Sequence, residues 1–168
     1  DFRDVLVSRY YRILNYPPSR NAHNFVDYKL IGKERSLDHS IEWIAGRYVP
    51  WIRGWFRNMR STPEIYHFTK FEELKEDTTG AFKKVLDFYK IELSDEKIEK
   101  IIKESEGRRN MKKNIEMAKV LPRGYTSNFR SGKVGGWKEE LSNAHIKKCK
   151  TLLGDALIEF GYEKDLNW

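Results

Sequence analysis

Phe129-Arg130-Ser131-Gly132-Lys133-Val134-Gly135-Gly136-Trp137-Lys138 places three glycines, three cations and a tryptophan within ten residues. Glycine lets backbone approach a ligand closely. Arg130 and the neighbouring N–H groups have the chemistry to hold a phosphate through charge-assisted bonds. The run reads as a phosphate clamp, against the plainer alternative of a Gly-rich surface loop beside a buried Trp137.

Working outward, the 168 residues carry 32 Lys and Arg against 25 Asp and Glu, a net charge of +7. That balance favours anionic partners such as phosphate, sulfate, nucleic acid or acidic lipid. The excess is spread along the chain and selects none of them. With 39% hydrophobic residues, the length suits a single globular domain with a real core. One cysteine, Cys149, excludes an internal disulfide framework and suits a reducing, cytoplasmic setting. No apolar run approaches the ~18 residues of a membrane span, so no membrane partner is expected. Asp1-Phe2-Arg3-Asp4 opens without an initiator Met and reads as an interior cut.

The spacing predicts a helix capped by Asp1 or Asp4 and stopped by Pro17-Pro18. Residues 16–37 read as a loop, and a second helix is expected from Asp38, kinked or restarted at Pro50. Trp51, Trp55 and Phe56 form an apolar stripe read mainly as core. Ile65-Tyr66-His67-Phe68-Thr69-Lys70-Phe71 is β-branched and aromatic, the best strand candidate. Helices follow at Thr78–Tyr89 and from Ser94, with a short one around residues 110–114. Residues 115–136 read as irregular, before a last helix from Glu139 to Phe160 closed by Gly161. A single strand cannot satisfy its own backbone. Either the domain is mostly helical or partner strands lie upstream; the abrupt start favours the second.

Four separated blocks resemble the C-terminal half of the sulfotransferases that use 3′-phosphoadenosine 5′-phosphosulfate (PAPS), in the family's cytosolic-type branch. Arg3-Asp4-Val5-Leu6-Val7-Ser8-Arg9-Tyr10-Tyr11 is similar to R-D-V-x-V-S-x-Y-Y. Gly46-Arg47-Tyr48 with Ile52-Arg53-Gly54-Trp55 is similar to G-x-W/Y-x-x-x-V-K-x-W. Phe71-Glu72-Glu73-Leu74-Lys75-Glu76-Asp77 looks like Y/F-E-D-L-K-E-D. The opening segment resembles R-K/S-G-x-x-G-D-W-K.

The resemblance implies an α/β, P-loop NTPase-like sulfotransferase fold, of which these residues form the mostly helical C-terminal part with few strands. It also implies roles. Ser8, Arg130 and Gly132 take the 3′-phosphate, with Ser131 where many relatives have Lys. Near a helix N-terminus, the Ser8 hydroxyl would gain from the macrodipole. Phe71 takes the adenine. Arg108, within Glu106-Gly107-Arg108-Arg109-Asn110-Met111, matches a second adenine contact of the form T-S-F-x-x-M, with Arg where Phe is expected; a guanidinium also stacks on a base.

No segment matches the family's P-K-S-G-T loop, and His23, His39, His67 and His145 fall in the wrong blocks to be its base. The chain is therefore expected to carry no catalytic residue, to bind no metal and to be inactive alone. Its expected partners are a small-molecule acceptor and the N-terminal part of the same domain. The family's dimer motif, K-x-x-x-T-V-x-x-x-E, falls at Lys138 to Lys147, where Ser142-Asn143 replaces T-V and Lys147 replaces E. Two other classes compete. One is a non-catalytic nucleotide- or polyanion-binding module; the other, a basic helical domain on nucleic acid, lacks a recognition motif or clustered basic face.

Overall fold

The computed structural model describes residues 1–15, 26–108 and 132–168. Two compact units emerge, Asp1–Gly54 with Arg123–Trp168, and Trp55–Pro122. The expected short helix at 110–114 lies outside the described residues.

In the first unit, α1 (Phe2–Asn15) starts at Asp1, whose carboxylate accepts the Arg3 N–H at 2.9 Å. Phe2, Leu6, Tyr10 and Ile13 recur at helical spacing and are buried, as is Val7. They face α2 (Tyr28–Trp43) through Leu37 and Ile41, and α8 (Asn143–Glu159) belongs to the same core through Leu153 and Leu157. Side chains of this kind contribute about 1.5–3 kcal/mol each when fully buried.

The expected loop over 16–37 is corrected in its second half, because α2 begins at Tyr28. Asp27 caps it by accepting the Lys29 N–H at 2.9 Å. Gly32 then breaks the helical geometry at φ 77° and ψ 169°, in the left-handed region open to glycine. The Ser36 hydroxyl donates to the Gly32 carbonyl at 2.6 Å and so satisfies an acceptor at the break. The break concealed the helix: its apolar stripe changes phase at Gly32.

Past Trp43 the chain widens into a π-helical stretch, Ile44–Tyr48, where the Val49 N–H reaches the Ile44 carbonyl five residues back. Pro50 follows, in the first turn of α3 (Val49–Ser61). Proline donates no bond and crowds the carbonyl four residues earlier. A widened turn directly upstream absorbs that clash, so the backbone continues without stopping.

The second unit holds α4 (Phe71–Glu76), α5 (Thr78–Phe88) and α6 (Asp95–Arg108) around Ala81, Leu86 and Ile98. Asp77 caps α5 through the Gly80 N–H at 2.8 Å. The strand expected at Ile65–Phe71 is corrected: residues 66–70 pair with no ladder, no strand occurs among the described residues, and Phe71 already opens α4. Alternation is nevertheless present. Tyr66 meets Trp55 at 5.8 Å and Phe68 meets Phe56 at 4.6 Å, while the intervening His67 meets Phe88 at 5.4 Å. Period-two patterning thus reported extended backbone wedged between helices, with side chains instead of a neighbouring strand for company. The stripe read as core is also corrected in part, since Trp51 and Trp55 stay 56% and 47% exposed.

The first unit closes with α7 (Trp137–Glu140) and α8. Expected as one helix from Glu139, this segment is two, separated at Leu141 by extended backbone and restarted by the Ser142 cap. At the far end the Tyr162 N–H reaches Leu157 O at 2.8 Å and the Gly161 N–H reaches Ile158 O at 3.0 Å. With Gly161 at φ 70°, this is the Schellman closure foreseen from the glycine.

Candidate functional site

Two motifs far apart in sequence meet on α1. Asp4, in its first turn, turns its carboxylate away from its own helix. Oδ2 accepts the Gly135 N–H at 2.7 Å and Oδ1 accepts the Trp137 N–H at 2.9 Å. Seven residues on, the Tyr11 hydroxyl donates to Glu140 Oε1 at 2.8 Å. The other oxygen of Glu140 takes the Lys33 ammonium at 2.9 Å, a bond that raises the Lys33 pKa. Asp4, Ser8 and Tyr11 are spaced four and three apart and so share one helix face. Ser8, between the two anchor points, is exposed. Its hydroxyl stands on the face that carries the Gly-rich run.

Arg3 locks the base of this arrangement. Only 2% exposed, its guanidinium lies 4.1 Å from the Trp137 ring centre and 4.4 Å from that of Trp168, in the corner made by these two perpendicular indoles. Nε and Nη2 bond Asp1 at 3.0 and 2.6 Å, and Nη1 bonds Glu163 at 2.5 Å. Trp137 is buried, as the plainer reading of its segment had it.

Two parts of the clamp reading change. Gly135 and Trp137 offer their N–H groups to a protein carboxylate, so these donors are not open to a ligand. Ser8 lies mid-helix, six residues past Phe2, so the macrodipole adds little there and its hydroxyl is the donor that remains. Gly132, at φ 59°, holds a left-handed turn that suits glycine at the start of the described run. Lys133 beside it pairs with Glu139. Arg130 and Ser131 lie outside the described residues.

Phe71 and Arg108 belong to the second unit. Phe71 opens α4 with its ring 45% exposed and the Lys75 ammonium 5.8 Å from its centre. Arg108 is the final residue of α6, and its side chain lies outside the description.

The three described histidines each have a structural partner. His145, 2% exposed, accepts the Ser142 N–H on Nδ1 at 3.3 Å and donates from Nε2 to the Glu34 carbonyl at 3.2 Å. In doing so it completes a capping box usually built with Glu or Gln. His39 Nδ1 meets the Tyr28 hydroxyl at 2.9 Å, and burial, then the nearby Arg9, lower its pKa. His67 lies against Phe88, the two rings tilted by 38°. Cys149 is fully buried, which pushes its thiol up to about 12. Among the described residues no group of acidic, histidine and cysteine side chains is arranged to hold a metal, and no helix is long and apolar enough to cross a membrane.

Sequence reasoning missed Asp4. One signal pointed toward it: Gly135-Gly136-Trp137 opens a helix with no Ser, Thr, Asp or Asn at the cap, and Gly136 makes no side-chain cap bond. A helix start without a local acceptor draws one from elsewhere.

A family profile for the sulfotransferase domain matches residues 1–161, and the chain belongs to that family. It is similar to sulfotransferase 2A6 of Rattus norvegicus, 31% identical across 94% of this chain and 54% of that protein. Sulfotransferase 1E1 of Bos taurus is 26% identical, covering 87% and 48%. Flavonol 3-sulfotransferase of Flaveria bidentis is 28% identical, covering 74% and 44%. The chain spans about half the length of the curated relatives it matches. No solved structure matches it.

Proposed function

We propose that this chain forms the nucleotide side of a sulfotransferase that moves a sulfuryl group from PAPS to a hydroxyl or amine of a small-molecule acceptor. It belongs, in this reading, to the C-terminal part of a single domain on a P-loop-like α/β scaffold, working in the cytoplasm. The observation that carries the proposal is the meeting on one face of α1 of Ser8 and the Gly-rich run, held by Asp4. Both lie in blocks that resemble motifs of the family to which the chain belongs.

Ser8 supplies a neutral donor to the 3′-phosphate, Arg130 a guanidinium able to bond two of its oxygens, and Gly132 close backbone approach. Ser131 keeps a donor where a lysine would add charge, so the phosphate is held less tightly than with Lys there. Phe71, exposed at the start of α4, and Arg108 offer flat surfaces to the adenine. The reaction is an in-line displacement at sulfur. The acceptor oxygen or nitrogen forms the new bond to sulfur and gives its proton to a base, and adenosine 3′,5′-bisphosphate leaves with the electron pair of the broken S–O bond. This chain's part is to hold the adenosine bisphosphate end.

Thermal unfolding tests the reading. Adenosine 3′,5′-bisphosphate is expected to raise the melting temperature in a concentration-dependent way, by mass action. Protection by DNA with none from the bisphosphate would overturn it. Equal protection by inorganic polyphosphate would favour a generic polyanion module.

A further inference from the structure

We infer that Asp4 is a positioning residue for the phosphate-binding wall, fixing how the run at 132–138 presents itself to Ser8; the inference rests on the 3′-phosphate reading above. Its two carboxylate oxygens are both committed, one to the Gly135 N–H and one to the Trp137 N–H, 131 and 133 residues away along the chain. Two bonds from one rigid planar group set the rotation of the acceptor segment as well as its distance. The segment needs such a fixture. Gly132 and Gly135 both stand at positive φ, and Gly136 offers no capping side chain. Glycine backbone left to itself samples many conformations.

The negative charge of Asp4, one turn from Ser8, is engaged by the Gly135 and Trp137 N–H groups. Removing the carboxylate would release the run from α1.

Calorimetry of the chain with adenosine 3′,5′-bisphosphate and with adenosine 5′-monophosphate tests this, in the native protein, Asp4→Ala and Asp4→Asn. The ratio of the two affinities measures recognition of the 3′-phosphate. Loss of folded protein lowers both affinities together and leaves the ratio alone. In Asp4→Ala the ratio is expected to fall roughly tenfold or more, as for two charge-assisted bonds lost. Asp4→Asn keeps the shape and one good acceptor, and is expected to fall between; it decides the question alone if Asp4→Ala does not fold. An unchanged ratio in the folded variant overturns the role of Asp4 and leaves the phosphate site standing. A native protein that does not prefer the bisphosphate overturns both.

Discussion

Arg3 and Glu163 meet at 2.5 Å across 160 residues, tying the first turn of α1 to the chain beyond α8. The guanidinium also sits against two indoles and is bonded to Asp1, so it is a buried charge whose polar atoms are matched. Removing one partner of such a pair strands the rest. Arg3→Ala is expected to destabilise the protein by about 3–5 kcal/mol in urea denaturation. Glu163→Gln leaves Asp1 in place and is expected to cost only about 1–3 kcal/mol. Equal losses for the two variants would contradict a cage centred on Arg3.

Arg130→Ala is expected to weaken adenosine 3′,5′-bisphosphate binding by about 1.5–3 kcal/mol, the range for hydrogen bonds to charged groups. Isothermal titration calorimetry measures it. Affinity equal to that of the native protein would remove Arg130 from the site.

The closure of α8 gives two separable losses. Ser142→Ala deprives the helix of its cap and of a partner for His145, at a cost of about 0.5–2 kcal/mol. Gly161→Ala forces a Cβ into the left-handed region, at about 1–2 kcal/mol. The two sites lie at opposite ends of the helix, so the double variant is expected to lose the sum in chemical denaturation.

Stability is expected to decline on both sides of neutral pH. His39 has its folded pKa lowered by burial and then by Arg9, so the unfolded chain takes up the proton first; stability is lost as pH falls below the ordinary value of 6.5. The Cys149 thiol is raised by burial from 9.0 to about 12, so the unfolded chain ionises first and stability falls as pH rises across that interval. Tyr28, raised by burial against its bond to Ser40, acts in the same direction above 10.0. Melting temperatures across pH check both limbs, and His39→Gln is expected to flatten the acid one. Iodoacetamide should label Cys149 in denaturant and leave the native thiol untouched at pH 8.

What could be read in advance was whatever the chain decides locally. Asp1, one of two candidate caps, and Gly161 marked helix ends because caps depend on neighbours within a turn. Thr78 and Ser94 marked the starts of α5 and α6 to within a residue. Residues 65–71 misled because alternation reports extended backbone without saying what lies alongside. Tyr28 was missed because a left-handed Gly32 interrupts the helical phase. At the site, the family blocks brought Ser8 and Gly132 into consideration, whereas Asp4 was invisible in that role. Its two bonds span more than a hundred residues, and nothing local distinguishes it from an ordinary acid in a first turn.

Glu140 serves two masters, Tyr11 on α1 through one oxygen and Lys33, next to the break in α2, through the other. Straightening α2 at Gly32 would pull on the same carboxylate that anchors the Gly-rich run's short helix. One carboxylate therefore joins three helices, α1, α2 and α7, at a single point.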